Sequence, residues 1–126
     1  MTNGITISRM VQHVLEIAAR HRIMIHWRND YHAEALSECM EVWLPRIRSS
    51  ITYATALHEL GHCLGRYQAS RSVMVVERWA WRWAKENALV WTDTMERRMN
   101  ENLAWYQARA PWPPRIVNGP PGCQLE

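Results

Sequence analysis

The sequence predicts a single α+β domain in which three to four helices pack on a short β-sheet. Three observations lead to this prediction. Amphipathic helical periodicity recurs along the chain, two short alternating stretches lie in its first half, and 126 residues suffice for one modest core. We expect this domain to cover residues 1–110, and a Pro/Gly-rich tail to follow over residues 111–126.

The N-terminal part begins with a helix and a strand. Residues 7–22 place apolar side chains at helical spacing, and Ser8 is a candidate N-cap. Residues 23–28 alternate apolar and polar side chains and end at the turn signal Asn29-Asp30. This pattern predicts a strand that ends in a turn.

The next two stretches are less regular. Residues 31–39 have helical propensity, but the pattern leaves helix, strand and loop open. Residues 40–44 alternate and end at Pro45, which predicts an edge strand. Such an edge could hold an extended peptide substrate by main-chain hydrogen bonds, or it could be a plain half-buried strand.

One stretch specifies a chemistry: His58-Glu59-Leu60-Gly61-His62. Residues four apart lie on one face of a helix, so both imidazoles can bind a single metal ion. Glu59 would lie beside them, where a carboxylate can accept a proton from a water that the metal activates. The apolar residues of the preceding run, a cap at Ser49 or Ser50 and a stop at Gly65 predict the helix.

A catalytic zinc ion needs a third protein ligand and an open fourth position. Glu77 is the candidate, near the start of a second predicted helix over residues 75–89. It shares a stripe with three small residues at helical spacing, Ala80, Ala84 and Ala88. Small residues, with Gly61 on the first helix, would let the two helices approach closely and bring Glu77 to the metal.

These residues resemble a known family. His-Glu-Leu-Gly-His followed by Glu77-x-x-Ala80-x-x-Trp83-Ala84 is similar to the ImmA/IrrE-type metallopeptidases, a gluzincin-like group, although Trp83 stands where the family usually has Phe. The short interval before Glu77 resembles compact, minigluzincin-sized members, and the resemblance covers about residues 50–90.

The resemblance implies a compact zincin-like fold and a zinc metalloendopeptidase. It implies one Zn²⁺ ion bound by His58, His62 and Glu77, with Glu59 as the general base. It further implies a protein or peptide substrate such as a repressor of a phage or other mobile element. Two alternatives stay open: a metal-containing regulatory module that binds its partner without proteolysis, and a structural metal with a closed four-ligand shell.

A third helix is predicted to begin at Thr92 or Asp93. Its apolar stripe consists of Met95, Met99, Leu103 and Tyr106. Tyr106 is also one of three candidate donors to a developing oxyanion, together with Tyr53 and Tyr67, and spacing alone does not choose among them.

The composition of the chain limits the cellular compartment and the binding partners that we expect. The net charge is +3 without any block of like charge, so we do not expect direct nucleic-acid binding. No apolar stretch has the length of a membrane span, and the N-terminus lacks the apolar core of a signal peptide. With three cysteines in no paired spacing, these features predict a cytoplasmic protein. One hypothesis is that the tail folds back and places the Cys123 thiolate on the metal. The favoured interpretation is a flexible terminus.

Overall fold

The computed structural model describes residues 5–113. Within that range it contains, in chain order, α1 (Ile7–His21), β1 (Met24–Arg28), β2 (Glu34–Leu36), β3 (Glu41–Pro45), α2 (Ser50–Leu64), α3 (Val73–Asn87) and α4 (Asp93–Ala108). A short 3₁₀ turn over Ser37–Cys39 follows β2. The predicted α+β class, with helices packed on a short sheet, is confirmed.

A hydroxyl side chain caps the start of each helix by accepting a hydrogen bond from a backbone N–H in the first turn. The four caps are Thr6, Ser49, Ser72 and Thr92. The prediction of Ser8 as a cap is wrong, because Ser8 lies inside the first turn of α1. Gly65 ends α2 as expected.

The sheet has the strand order β1-β3-β2, with β1 parallel and β2 antiparallel to β3. The prediction of an edge strand over residues 40–44 is therefore wrong, since Val42 pairs with Ile25 on one side and Ala35 on the other. Both backbone edges of β3 are occupied, so it cannot accept an added peptide strand. Pro45 is tolerated because it lies at the last position of the strand.

Helix α2 occupies the centre of the fold and contacts α1, α3, α4, β2 and β3. Its apolar side chains are accordingly buried on more than one face, and Tyr53, Leu57 and Leu60 are fully buried. A helix enclosed in this way can carry polar side chains inward only where they find partners. The two histidines of the motif lie on this central helix.

The backbones of helices α2 and α3 are in contact at Gly61. A Cβ atom added to Gly61 would overlap the carbonyl oxygen of Ala80 and lie 3.1 Å from its Cα. Ala80 and Ala84 are fully buried, as the stripe of small residues predicted. The absence of a side chain at Gly61 is thus what allows the two helix backbones to touch.

The described part of the chain ends shortly after α4. Trp112 donates its indole N–H to the carbonyl oxygen of Tyr106, 2.9 Å away. Most of the predicted tail, residues 114–126 with Cys123, lies outside the described residues. None of the helices in residues 5–113 combines the length and apolar character that crossing a membrane requires.

Replacing Gly61 by alanine should separate α2 from α3. We expect the free energy of unfolding to fall by about 2 kcal/mol from overpacking, although alanine favours a helix over glycine by about 1 kcal/mol. Chemical denaturation measures this change. The control is Ala104→Gly at an exposed position of α4, which reports helix propensity alone. A Gly61→Ala variant at least as stable as the wild type would contradict the close approach.

Candidate metal centre

The fold brings together His58, His62 and Glu77, the three residues that the sequence predicted as metal ligands. One potential ligand atom from each lies within 4.8 Å of the others. Nε2 of His58 is 3.0 Å from Oε1 of Glu77, and Nε2 of His62 is 3.1 Å from Oε2. One carboxylate of α3 therefore spans both imidazoles of α2.

These distances fit a shared metal ion. Donors bound at 2.0–2.1 Å to a tetrahedral zinc ion lie about 3.3 Å apart, close to the separations between each imidazole and the carboxylate. Two imidazole nitrogens and one carboxylate form a donor set that catalytic zinc sites use. Within residues 5–113, no fourth His, Cys, Asp or Glu completes the group. The residues therefore fit a divalent metal with three protein ligands.

The neighbouring cysteine does not join this group. Burial and the charge of Glu59 raise the pKa of Cys63 to about 12, so its sulfur remains a thiol at neutral pH. The Cys63 sulfur is also not among the clustered atoms that could bind one ion.

The charges of the site support one another in the absence of a metal. Burial lowers the pKa of His58, but hydrogen bonds and charges from Glu59 and Glu77 outweigh this effect and raise it above the ordinary value. Burial raises the pKa of Glu77, but His58 and His62 outweigh it and hold the pKa below its usual range. A proton on His58 then balances part of the negative charge of the neighbouring carboxylates.

Glu59 lies beside the three-residue group without belonging to it. Its side chain is buried, and Oε2 is 3.5 Å from Nδ1 of His58. A carboxylate that adjoins the site but is not among the clustered ligand atoms remains available for proton transfer. Its role as general base stays a prediction.

The indole of Trp81 supports His58 and was not predicted from the sequence. The two rings stack with centroids 4.2 Å apart and planes inclined by 11°. Trp81 in turn donates its indole N–H to Oδ1 of Asn102 on α4, 2.9 Å away. The position of Trp81, one turn after Glu77, was the available signal, but spacing does not distinguish it from an ordinary core tryptophan.

A second support was also missed. Nδ1 of His62 lies 2.9 Å from Oε1 of Gln68, in the loop between α2 and α3. Gln68 belongs to no motif, and no periodic pattern marks a loop residue.

The structure distinguishes the three candidate tyrosines. The Tyr53 hydroxyl is 2.7 Å from Nδ1 of His13 and accepts a hydrogen bond from the Leu89 N–H, so it is already occupied. Tyr67 is 56% exposed and packs against Trp79. Burial and the charges of Glu77 and Glu59 raise the pKa of Tyr106 to about 12. The charges of both carboxylates of the site thus raise the pKa of Tyr106, and its hydroxyl is protonated at neutral pH.

Comparison of the chain with protein-family models, curated proteins and solved structures gave no match. The resemblance to the ImmA/IrrE-type metallopeptidases therefore depends on the motif residues themselves. What the fold and the site define together is an α+β domain with a His-His-Glu group, in which His58 and Glu77 are buried and His62 is partly buried, that is able to hold a metal ion.

Metal binding at pH 7 should release about one proton, because the raised pKa leaves His58 protonated in the metal-free protein and only neutral imidazole binds a metal. Lowering the pH favours the imidazolium and therefore weakens metal binding. Calorimetric titration with Zn²⁺ in two buffers of different ionisation enthalpy counts the released protons. A count near zero would contradict the proposed charge state.

Proposed function

We propose that this protein is a metal-dependent peptidase that hydrolyses peptide bonds, with zinc as the natural choice of metal. The observation that carries the proposal is the convergence of His58, His62 and Glu77 within 4.8 Å, with the Glu59 carboxylate beside them. The same arrangement follows from the His-Glu-x-x-His pattern and the downstream glutamate.

The number of ligands favours a catalytic metal over a structural one. Structural zinc sites have four protein ligands, whereas catalytic sites have three and leave a position for water or substrate. Among residues 5–113 the group contains three members. When bound there, a zinc ion supplies Lewis-acid activation of water and of a carbonyl oxygen.

The protein's own groups would then carry the proton transfers. Glu59 accepts the proton of the attacking water and delivers it to the amine that leaves. Its burial places that carboxylate in a medium of low dielectric constant, where its interaction with developing charge is strong. Tyr106, whose pKa is raised by burial and by the charges of Glu77 and Glu59, is the candidate donor to the oxyanion.

The proposed substrate is a protein or peptide, and the resemblance to ImmA/IrrE-type proteins points to a repressor or another regulatory protein of a phage or mobile element. A regulatory module that binds the same partner without cleaving it is the alternative. It predicts complexes that survive a chelator, whereas the peptidase predicts fragments that a chelator prevents.

Incubating the protein with candidate repressors, with and without a chelator, separates these two outcomes. Chelator-sensitive fragments, identified by mass spectrometry, support the peptidase. A stable complex that forms equally well with the chelator and yields no fragments would overturn it.

Replacing Glu59 by glutamine should leave metal binding intact and reduce cleavage about 10²- to 10⁴-fold, because the amide cannot accept a proton. Replacing Glu77 by alanine should remove both the metal and the activity. Metal content by mass spectrometry and cleavage of a peptide mixture measure the two effects. Glu101→Gln, at an exposed position on α4, is the matched control. A Glu59→Gln variant as active as the wild type would refute the mechanism.

A further inference from the structure

Gln68 lies in the loop between α2 and α3, and its side chain contacts His62 of the metal centre. The Oε1 atom of Gln68 lies 2.9 Å from Nδ1 of His62, and its Nε2 donates to the carbonyl oxygens of Val76 and Arg66 at 2.9 and 3.1 Å. We infer that Gln68 is the positioning residue that places a proton on Nδ1 of His62 and ties both metal-binding helices together. This inference rests on the proposed metal site, but not on peptide hydrolysis.

The orientation of the Gln68 amide follows from its partners. Carbonyl oxygens only accept hydrogen bonds, so the groups facing Val76 and Arg66 must be the two N–H bonds of the amide. The reverse orientation would set Oε1 against two carbonyl oxygens. The oxygen of Gln68 therefore faces His62, and Nδ1 of that imidazole must be the donor.

A proton on Nδ1 determines what the other ring nitrogen can do. In the neutral imidazole, Nε2 then carries a lone pair, and this lone pair faces Oε2 of Glu77 at 3.1 Å. A lone pair and a carboxylate oxygen at that distance repel each other unless a cation or a proton lies between them. Gln68 thus prepares Nε2 of His62 as a metal ligand, in the way that hydrogen-bond partners outside the ligand set orient metal-binding imidazoles.

The same amide also links the two helices. Arg66 directly follows Gly65, which ends α2, and Val76 directly precedes Glu77 on α3. One side chain therefore contacts a ligand on α2 and the backbone next to the ligand on α3. A change at Gln68 should affect the separation of the ligands as well as the orientation of one ring.

Loop geometry supports the inward position of Gln68. The preceding residue, Tyr67, has φ of 60°, in the left-handed region that residues other than glycine rarely adopt. Its ring packs edge-on against Trp79 with centroids 4.9 Å apart, and its carbonyl oxygen accepts a hydrogen bond from the Ser70 N–H. These contacts hold a turn that directs the next side chain toward the metal centre.

His58 is supported by other residues, so the proposed effect of Gln68 is specific to His62. Its ring is stacked on Trp81, and its Nδ1 faces Glu59 at 3.5 Å. Gln68 makes its imidazole contact with His62. A spectroscopic change on substituting Gln68 should therefore appear at His62 and leave the tautomer of His58 unaltered.

The test compares Gln68→Ala with Gln68→Glu, which keeps an acceptor oxygen for Nδ1 of His62. Gln12→Ala, at an exposed position of α1, is the control. Zn²⁺ affinity is measured by competition with a chromophoric chelator. Long-range ¹⁵N NMR of the metal-free protein, at a pH where the imidazoles are neutral, reports the tautomers of His58 and His62.

We expect Gln68→Ala to bind Zn²⁺ about 10- to 100-fold more weakly and to lose the Nδ1–H preference of His62. Gln68→Glu should keep that tautomer, but its Zn²⁺ affinity should stay below that of the wild type because a carboxylate cannot donate to the carbonyl oxygens of Val76 and Arg66. Gln12→Ala should match the wild type. An Nε2–H tautomer in the wild type, or unchanged affinity and tautomer in Gln68→Ala, would overturn the inference. If Gln68→Ala does not fold, the tautomer of His62 in the wild type and in Gln68→Glu still tests the inference.

The design separates this inference from the proposed function. If wild-type protein binds no Zn²⁺, the metal site fails, but the NMR measurement on metal-free protein still tests whether Gln68 sets the tautomer. If Zn²⁺ binds and no peptide is cleaved, the affinity series remains valid.

Discussion

The contact between the backbones of α2 and α3 at Gly61 and Ala80 is the constraint on which the site depends. A side chain at Gly61 would overlap the Ala80 carbonyl group, so any larger residue forces the helices apart. The motif histidine His62 follows Gly61 by one residue, and Glu77 precedes Ala80 by three. Because these positions are so close in sequence to the contact, the distance between the imidazoles and the carboxylate is set by helix packing rather than by flexible side chains.

That packing encloses a group of charges that hydrophobic residues alone would not stabilise. His58 and Glu77 are nearly inaccessible to solvent, with relative exposures of 7% and 6%. A buried ion pair often contributes little net stability, because desolvation offsets the attraction between the charges. An arrangement of two imidazoles around one buried carboxylate therefore suits the bound cation that we propose. The stacked Trp81 and the hydrogen-bonded Gln68 hold the two rings in the orientation that such a cation requires.

The sequence predicted which three side chains come together, but it did not predict the side chains that support them. His58 and His62 follow from a local spacing, and Glu77 follows from its position on the same helix stripe as Ala80, so helical spacing and the expected close packing of the two helices together predicted the group. The strand over residues 40–44 was assigned to an edge, but its position between β1 and β2 depends on pairings with distant segments that its own pattern does not encode. Gln68 could not be predicted, because its role depends on the left-handed backbone of the preceding residue and on a loop without periodicity.

The central claim is that two imidazoles of α2 and one carboxylate of α3 bind a single metal ion. X-ray absorption spectroscopy of the protein loaded with one equivalent of Zn²⁺ tests this claim most directly, since it reports the ligand types and bond lengths around the ion. The account predicts two imidazole nitrogens and additional oxygen ligands at about 2.0–2.2 Å, and no sulfur. A spectrum with sulfur at about 2.3 Å, or with fewer than two imidazoles, would contradict it.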